Sequence, residues 1–349
     1  MEASSKVTTK SFVSKLRDIV KAKYKESVIS LVSFIVIAIA VIAIVAFAGY
    51  EAFAYVTQKL VMLMYTVMYG MTGAVSASSI AIGVVIFLAA LALFVAAIVF
   101  IQFFAVAIQY EFQDTIQNDS KTISLKGIWA QFRIMNKNQM WRLFLYSSLF
   151  IELWTLPTNI LELVFSSNTI LAIIFRLLTA VITIWKTLEY AQGIFLYREQ
   201  RPKFLGQSMR HAFTASRRFM SHKKWQYLWL MIVTVVPLIV GQIIFGLITF
   251  YGEYTATYFF LYLGIILMVV YGCAYLPVLY FSKPLYFELT RSSVSIDETF
   301  EDTFKSVGRL TGTEPYEKKS KKAKKEVQAK IEPNDAKKKA APKDTKNDK

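Results

Sequence analysis

The chain has 349 residues, 55% of them hydrophobic and 18% charged, and a formal net charge of +16 at pH 7. With a mean hydropathy of +0.43, it is too apolar for an ordinary soluble domain unless the charge sits outside the apolar part. One cysteine excludes an intramolecular disulfide, and two histidines leave little material for an all-protein zinc or haem site, so neither metal nor cofactor is expected.

Residues 1–27 form a basic amphipathic stretch, with Phe12, Leu16, Ile19 and Val20 on one side and Lys15, Lys21 and Lys25 elsewhere. The uncharged run Val28 to Tyr50 follows, long enough to span a bilayer, which needs ~20 apolar residues. A secretory signal peptide is the competing reading, because Ala46-Phe47-Ala48 resembles a cleavage site. The run, however, is longer than the ~7–15 residues usual for such a core.

Leu60 to Tyr110 holds no charged residue. It supplies either one span near Ile80 to Ala107 or two spans split at Gly70 to Ser79. Four further spans are expected near Leu143–Phe165, Ile170–Leu196, Leu228–Tyr251 and Thr257–Phe281. With six in all, the Lys and Arg counts are 7 before the first span, 5 in 111–142, 8 in 197–225 and 17 after Phe281, all on one side. Splitting the long run would put the segment with 8 on the outside, against the positive-inside rule. The expectation is therefore an all-α polytopic bundle of about six spans in the plasma membrane, both termini cytoplasmic. Leu60 to Ser79 becomes an outer interfacial or re-entrant segment whose Met62, Met64, Met68 and Met71 serve flexible packing.

Two inner segments repeat the amphipathic pattern. In 111–142, Leu125, Ile128, Trp129 and Phe132 lie beside Lys126, Arg133 and Lys137. In 197–225, Leu205, Met209, Ala212, Phe213, Phe219 and Met220 fall on one arc, opposite Lys203, Arg210, His211, Arg217 and Arg218. Such helices are expected to lie on the leaflet that carries anionic lipid, at ~1 kcal/mol per basic residue near the surface. Arg210, Arg217, Arg218, Lys223 and Lys224 are the expected lipid or polyanion contacts. Ordinary positive-inside loops are the plainer alternative.

From Glu314 to Lys349 there are 13 lysines against 7 acids, with Ile331 the only Ile, Leu or Phe beyond Leu310. This tail, expected to be disordered from about residue 311, has no apolar face to bury. It can act as a solubilising extension, or bind anionic lipid or a polyanion such as the ribosome by charge alone, so no sequence-specific DNA partner is expected.

Charges at membrane depth are candidate functional groups because an unpaired one is costly. They are Glu152, Glu162, Arg176, Lys186 and Glu189. Glu162 falls near the outer interface, and Lys186 with Glu189 near the inner one. Arg176 and Glu152 are deep, and either pair or line a polar cavity between spans three and four, where Pro157 can break the helix. Neither Cys273, set among small and aromatic residues, nor His211 and His222, set among cations, makes a convincing nucleophile or ligand. Asn118-Asp119-Ser120 matches a glycosylation sequon but lies on the expected inner side. No phosphate-loop, dinucleotide-binding, zinc-protease or serine-hydrolase motif occurs.

Four segments carry a family resemblance: Trp154 to Pro157, Lys186 to Pro202 (KTLEYAQGIFLYREQRP), Ser216 to Trp225 (SRRFMSHKKW) and Tyr275 to Leu289 (YLPVLYFSKPLYFEL). In kind and order they resemble a bacterial integral-membrane family known as domain of unknown function 975. The sequence departs from it at His222 and Lys223, where that pattern has Gly and His. The resemblance implies a six-span bacterial plasma-membrane protein and brings no catalytic residues. The functional expectation is a non-enzymatic accessory or scaffold that binds anionic lipid or polyanion through its basic inner face. The alternative is a transporter or insertase-like protein with a polar cavity between spans three and four and a tail that docks ribosomes.

Overall fold

The computed structural model describes residues 7–69, 77–204, 206–291, 296 and 300. Among them the chain is all-helical: α1 (Thr9–Tyr69), α2 (Ala77–Gln117), α3 (Leu125–Ile134), α4 (Lys137–Val164), α5 (Thr169–Tyr190), α6 (Gly193–Glu199), a 3₁₀ turn over Arg201–Phe204, α7 (Arg210–Phe219), α8 (Lys224–Tyr254) and α9 (Tyr258–Arg291). Five helices are long and apolar enough to cross a membrane: α1, α2, α5 continued through α6, α8 and α9. The Lys-rich tail expected to be disordered lies outside the described residues.

Helix starts follow local chemistry. Ser124 accepts from the Gly127 amide at α3, Asn136 from Gln139 at α4, and Asn168 from Ile170 and Leu171 at α5. Each side-chain oxygen satisfies an amide that the first turn leaves unpaired.

α1 is 61 residues long, about 90 Å if straight, against a hydrocarbon core of ~30 Å. Its only non-helical residue is Lys23, which sets off the amphipathic arm over residues 9–22 from the apolar run that follows. Leu60 to Tyr69 prolongs α1 as helix, so this part of the expected re-entrant segment is not a separate element. Residues 70–76, which include Met71, lie outside the described set. Phe34 stacks on Phe104 at 5.8 Å, and Gly83 faces Tyr55 and Val56, which fixes α1 and α2 as an antiparallel hairpin.

The other long pairs are also hairpins. α8 and α9 approach closely at Gly252 and Gly264, where a Cβ would run into the backbone nitrogens of Leu261 and Thr249 on the facing helix. Small residues at such seams let backbones meet without side chains between them. Across the same seam the Tyr271 and Tyr275 hydroxyls donate to the carbonyls of Pro237 and Thr234, each at 2.8 Å. Pro157 does not break α4, which stays helical through it.

The three amphipathic segments are folded onto this frame. Phe12, Leu16 and Val20 are buried, as are Ile128 and Phe132 of α3 and Ala212, Phe213 and Phe219 of α7. Phe213 meets Tyr190 edge-on at 5.2 Å and Phe219 stacks near Phe287 at 5.5 Å. The apolar arc of α7 thus packs into the protein, while Arg217 and Arg218 on the opposite arc stay exposed. Leu205, expected on the same arc, lies outside the described residues.

Candidate functional site

Polar chemistry concentrates where α2, α5 and α9 end and α4 and α8 begin. Cross-links between these ends are short: Gln113 donates to Glu288 at 2.8 Å, Tyr197 to Gln139 at 2.5 Å and Lys224 to Glu189 at 2.5 Å. Two charged clusters result.

The first ties α2 to α3, α6 and α9. The Arg198 guanidinium pairs with Asp114, donates to Gln113 Oε1 at 2.9 Å and to the Tyr110 carbonyl at 3.0 Å, and lies over the Tyr110 ring. Lys121 bridges Glu111 at 2.8 Å and Asp114 at 3.0 Å. Burial works against the Lys121 charge, but these two carboxylates outweigh it and hold its pKa above the ordinary lysine value. The wholly buried Glu111 sets Oε1 against Gly127, where a Cβ would overlap it. Apart from Glu111 Oε1, which is buried without a hydrogen-bond partner, the charged groups here are committed to one another, so the cluster is a joint.

The second cluster borders open space. Glu189, buried, takes Lys186 Nζ at 3.0 Å on one oxygen and Lys224 Nζ at 2.5 Å on the other. The ammoniums also lie over indole rings, Lys186 4.0 Å from the Trp154 centroid and Lys224 4.1 Å from that of Trp185. Trp225 meets Trp185 edge-on at 6.3 Å. Ser216 ties α7 to this corner, donating to the Glu189 carbonyl at 2.7 Å. Beside it opens a cavity of about 920 Å³ bordered by Trp185, Glu189, Arg217, Arg218, Lys224 and Trp225, with Ser221 and His222 at its edge. Among the described residues its lining carries Arg217, Arg218 and Lys224 against the one carboxylate of Glu189. Arg217 and Arg218 are exposed, and Arg217 forms no ion pair among the described residues.

The expected contact residues therefore divide. Arg217, Arg218 and Lys224 are brought together at the cavity. Lys223 turns aside, its ammonium 5.6 Å from the Phe219 ring and its pKa lowered by burial. Arg210, exposed at the first residue of α7, is not part of the rim. Lys186, paired with Glu189, belongs to the same corner.

The deep charges pair differently from the expectation. Arg176 takes Glu162, with Nε and Nη2 at 2.9 and 2.7 Å from one carboxylate oxygen. Glu162 is one helical turn from the α4–α5 turn, and the guanidinium reaches back towards it, which leaves Glu152 exposed and apart. Between them the α4–α5 seam closes on itself: Thr179 donates to Thr158 at 2.7 Å, and Thr158 to the Thr155 carbonyl at 2.8 Å.

Sequence reasoning missed the Glu111–Asp114–Lys121–Arg198 cluster and the paired indoles. The signal for the first was present: Glu111 and Asp114 continue the helical register of the uncharged run. Trp185 and Trp225 are distant in sequence, and only the contact of α5 with α8 joins them.

No protein-family model matches the sequence, and neither a curated protein nor a solved structure matches it.

Proposed function

We propose that this protein is a six-span plasma-membrane protein with both termini cytoplasmic, a non-enzymatic accessory or scaffold that holds anionic phospholipid at its basic inner face. The sixth span is α4, whose 28 residues form a hairpin with α5 and must cross if α5 does. The positive-inside distribution supports the orientation. Membership of the family known as domain of unknown function 975 is part of the proposal and rests on the order of the four segments alone.

The cavity rimmed by Arg217, Arg218 and Lys224 between Trp185 and Trp225 carries the reading. Indoles favour the level of lipid headgroups, where one edge is apolar and the other wet. Guanidinium groups give forked, charge-assisted hydrogen bonds to phosphate. Because Glu189 is already held by two lysines, Arg217, which forms no ion pair among the described residues, supplies positive field at the opening.

The test is competition in neutral detergent. Purified full-length protein is offered phosphatidylglycerol, phosphatidylcholine or a soluble polyanion such as heparin. Selective retention of phosphatidylglycerol, unaffected by equimolar heparin, supports the lipid reading. Loss of lipid to heparin, or equal retention of both phospholipids, contradicts it.

A further inference from the structure

A second groove lies on another part of the molecule, and its reading does not rest on the Trp185 cavity. α3 packs on the α1–α2 hairpin, and the three helices line a cavity of about 400 Å³. Its walls are Phe34, Ile37, Ala38 and Val41 of α1 and Phe100, Ile101 and Phe104 of α2. The aromatic rings interlock, with the Phe104 centroid 5.8 Å from Phe34 and 4.3 Å from Phe132. Trp129 stands at 5.6 Å from Phe104.

α3 contributes Leu125, Lys126, Ile128 and Trp129 to the lining. Lys126 is the only charged group of the lining, is exposed, and forms no ion pair among the described residues. It also occupies the first turn of α3, which holds no acid. A cation there works against the positive end of the helix dipole, and an anion beside it offsets that cost. The walls themselves are partly open, with Ile37 54% and Phe100 40% exposed.

We propose that this groove seats one acyl chain of an anionic phospholipid, with the phosphate on Lys126. The apolar walls accept a hydrocarbon chain from the surrounding bilayer without burying a polar group, and the lone lysine at the mouth selects the charge of the headgroup. A soluble polyanion fits only the mouth and leaves the walls uncovered, so the occupant is a lipid.

Full-length protein reconstituted in phosphatidylcholine vesicles is photolabelled with phosphatidylglycerol or phosphatidylcholine probes carrying a diazirine midway along one chain, and labelled residues are mapped by mass spectrometry. The phosphatidylglycerol probe labels residues 34–41 and 100–104 about fivefold more than its neutral counterpart, the ratio expected of one basic group near the surface. Lys126→Glu abolishes that preference, and since Lys126 is exposed the variant folds. Ala38→Phe narrows the groove and suppresses labelling by both probes. Equal labelling by the two probes in the native protein, labelling unchanged by Ala38→Phe, or crosslinks from these residues to a second copy of the chain would each overturn the proposal.

Discussion

Lys224 opens α8 by placing its ammonium 2.5 Å from Oε1 of Glu189, while Lys186 holds the other oxygen at 3.0 Å. All three side chains are at most 15% exposed. One carboxylate thus joins the end of α5 to the start of α8 and fixes the wall from which Trp185 and Trp225 face the cavity. Glu189→Gln strands two lysines without a counter-charge and is expected to cost about 3–5 kcal/mol. Lys224→Gln costs less, because Lys186 still compensates the carboxylate. Thermal unfolding in detergent ranks the two, and a Glu189→Gln protein as stable as Lys224→Gln would contradict the assignment.

Arg176 and Glu162 form a pair that spans α4 and α5. Removing one partner leaves the other uncompensated, whereas replacing both with leucine removes charge and penalty together. Glu162→Leu is therefore expected to lower the unfolding temperature, and adding Arg176→Leu to restore most of it. If the double variant is no more stable than the single, the pair contributes more than packing and the polar seam regains interest as a pathway.

Gly127 has no room for a methyl group, since a Cβ would overlap Glu111 Oε1. Gly127→Ala must push that buried carboxylate off its Lys121 partner, at a cost of about 1–3 kcal/mol. Combining it with Glu111→Ala should recover part of the loss. Comparison of urea midpoints for the single and double variants provides the check.

The pH dependence of the Lys121 joint has a definite sign. Its pKa is raised in the folded protein by Glu111 and Asp114 in spite of burial. Its contribution is thus complete below the unfolded value of ~10.4, and is lost as pH rises through the higher folded value. A stability profile across the alkaline range should fall at its upper end, and Lys121→Met should flatten that fall. An identical alkaline limb in the variant would remove Lys121 from the account.

Much of the all-helical frame is legible in the sequence because uncharged runs of Ile, Val, Leu and Ala leave the backbone no partner but itself in lipid. The amphipathic arcs of α3 and α7 are also legible, but what they face is not. Periodicity says that Phe213 and Phe219 share a side, whereas only the docking of α7 beside α5 and α6 shows that the side meets protein. Counting depth leaves Arg176 and Glu152 as the two deep charges, either paired or lining a cavity, and the structure pairs Arg176 with Glu162 because a long guanidinium stem can reach a turn towards the helix end. At His222 the backbone has φ 60°, a left-handed conformation that favours glycine. His222→Gly is expected to be tolerated or mildly stabilising, by up to about 1 kcal/mol.

The most direct test of the central claim is a titration of phosphatidylglycerol against phosphatidylcholine, read by native mass spectrometry on three proteins: native, Arg217→Glu with Arg218→Glu, and Arg210→Glu. These arginines are all exposed on α7, but only the first two border the cavity between the indoles. At ~1 kcal/mol per basic group, reversing both should cut the preference for phosphatidylglycerol by at least about tenfold, while Arg210→Glu leaves most of it intact. Equal losses in the two variants would mean a diffuse basic surface with no site, and no loss in either would contradict anionic-lipid binding at this face.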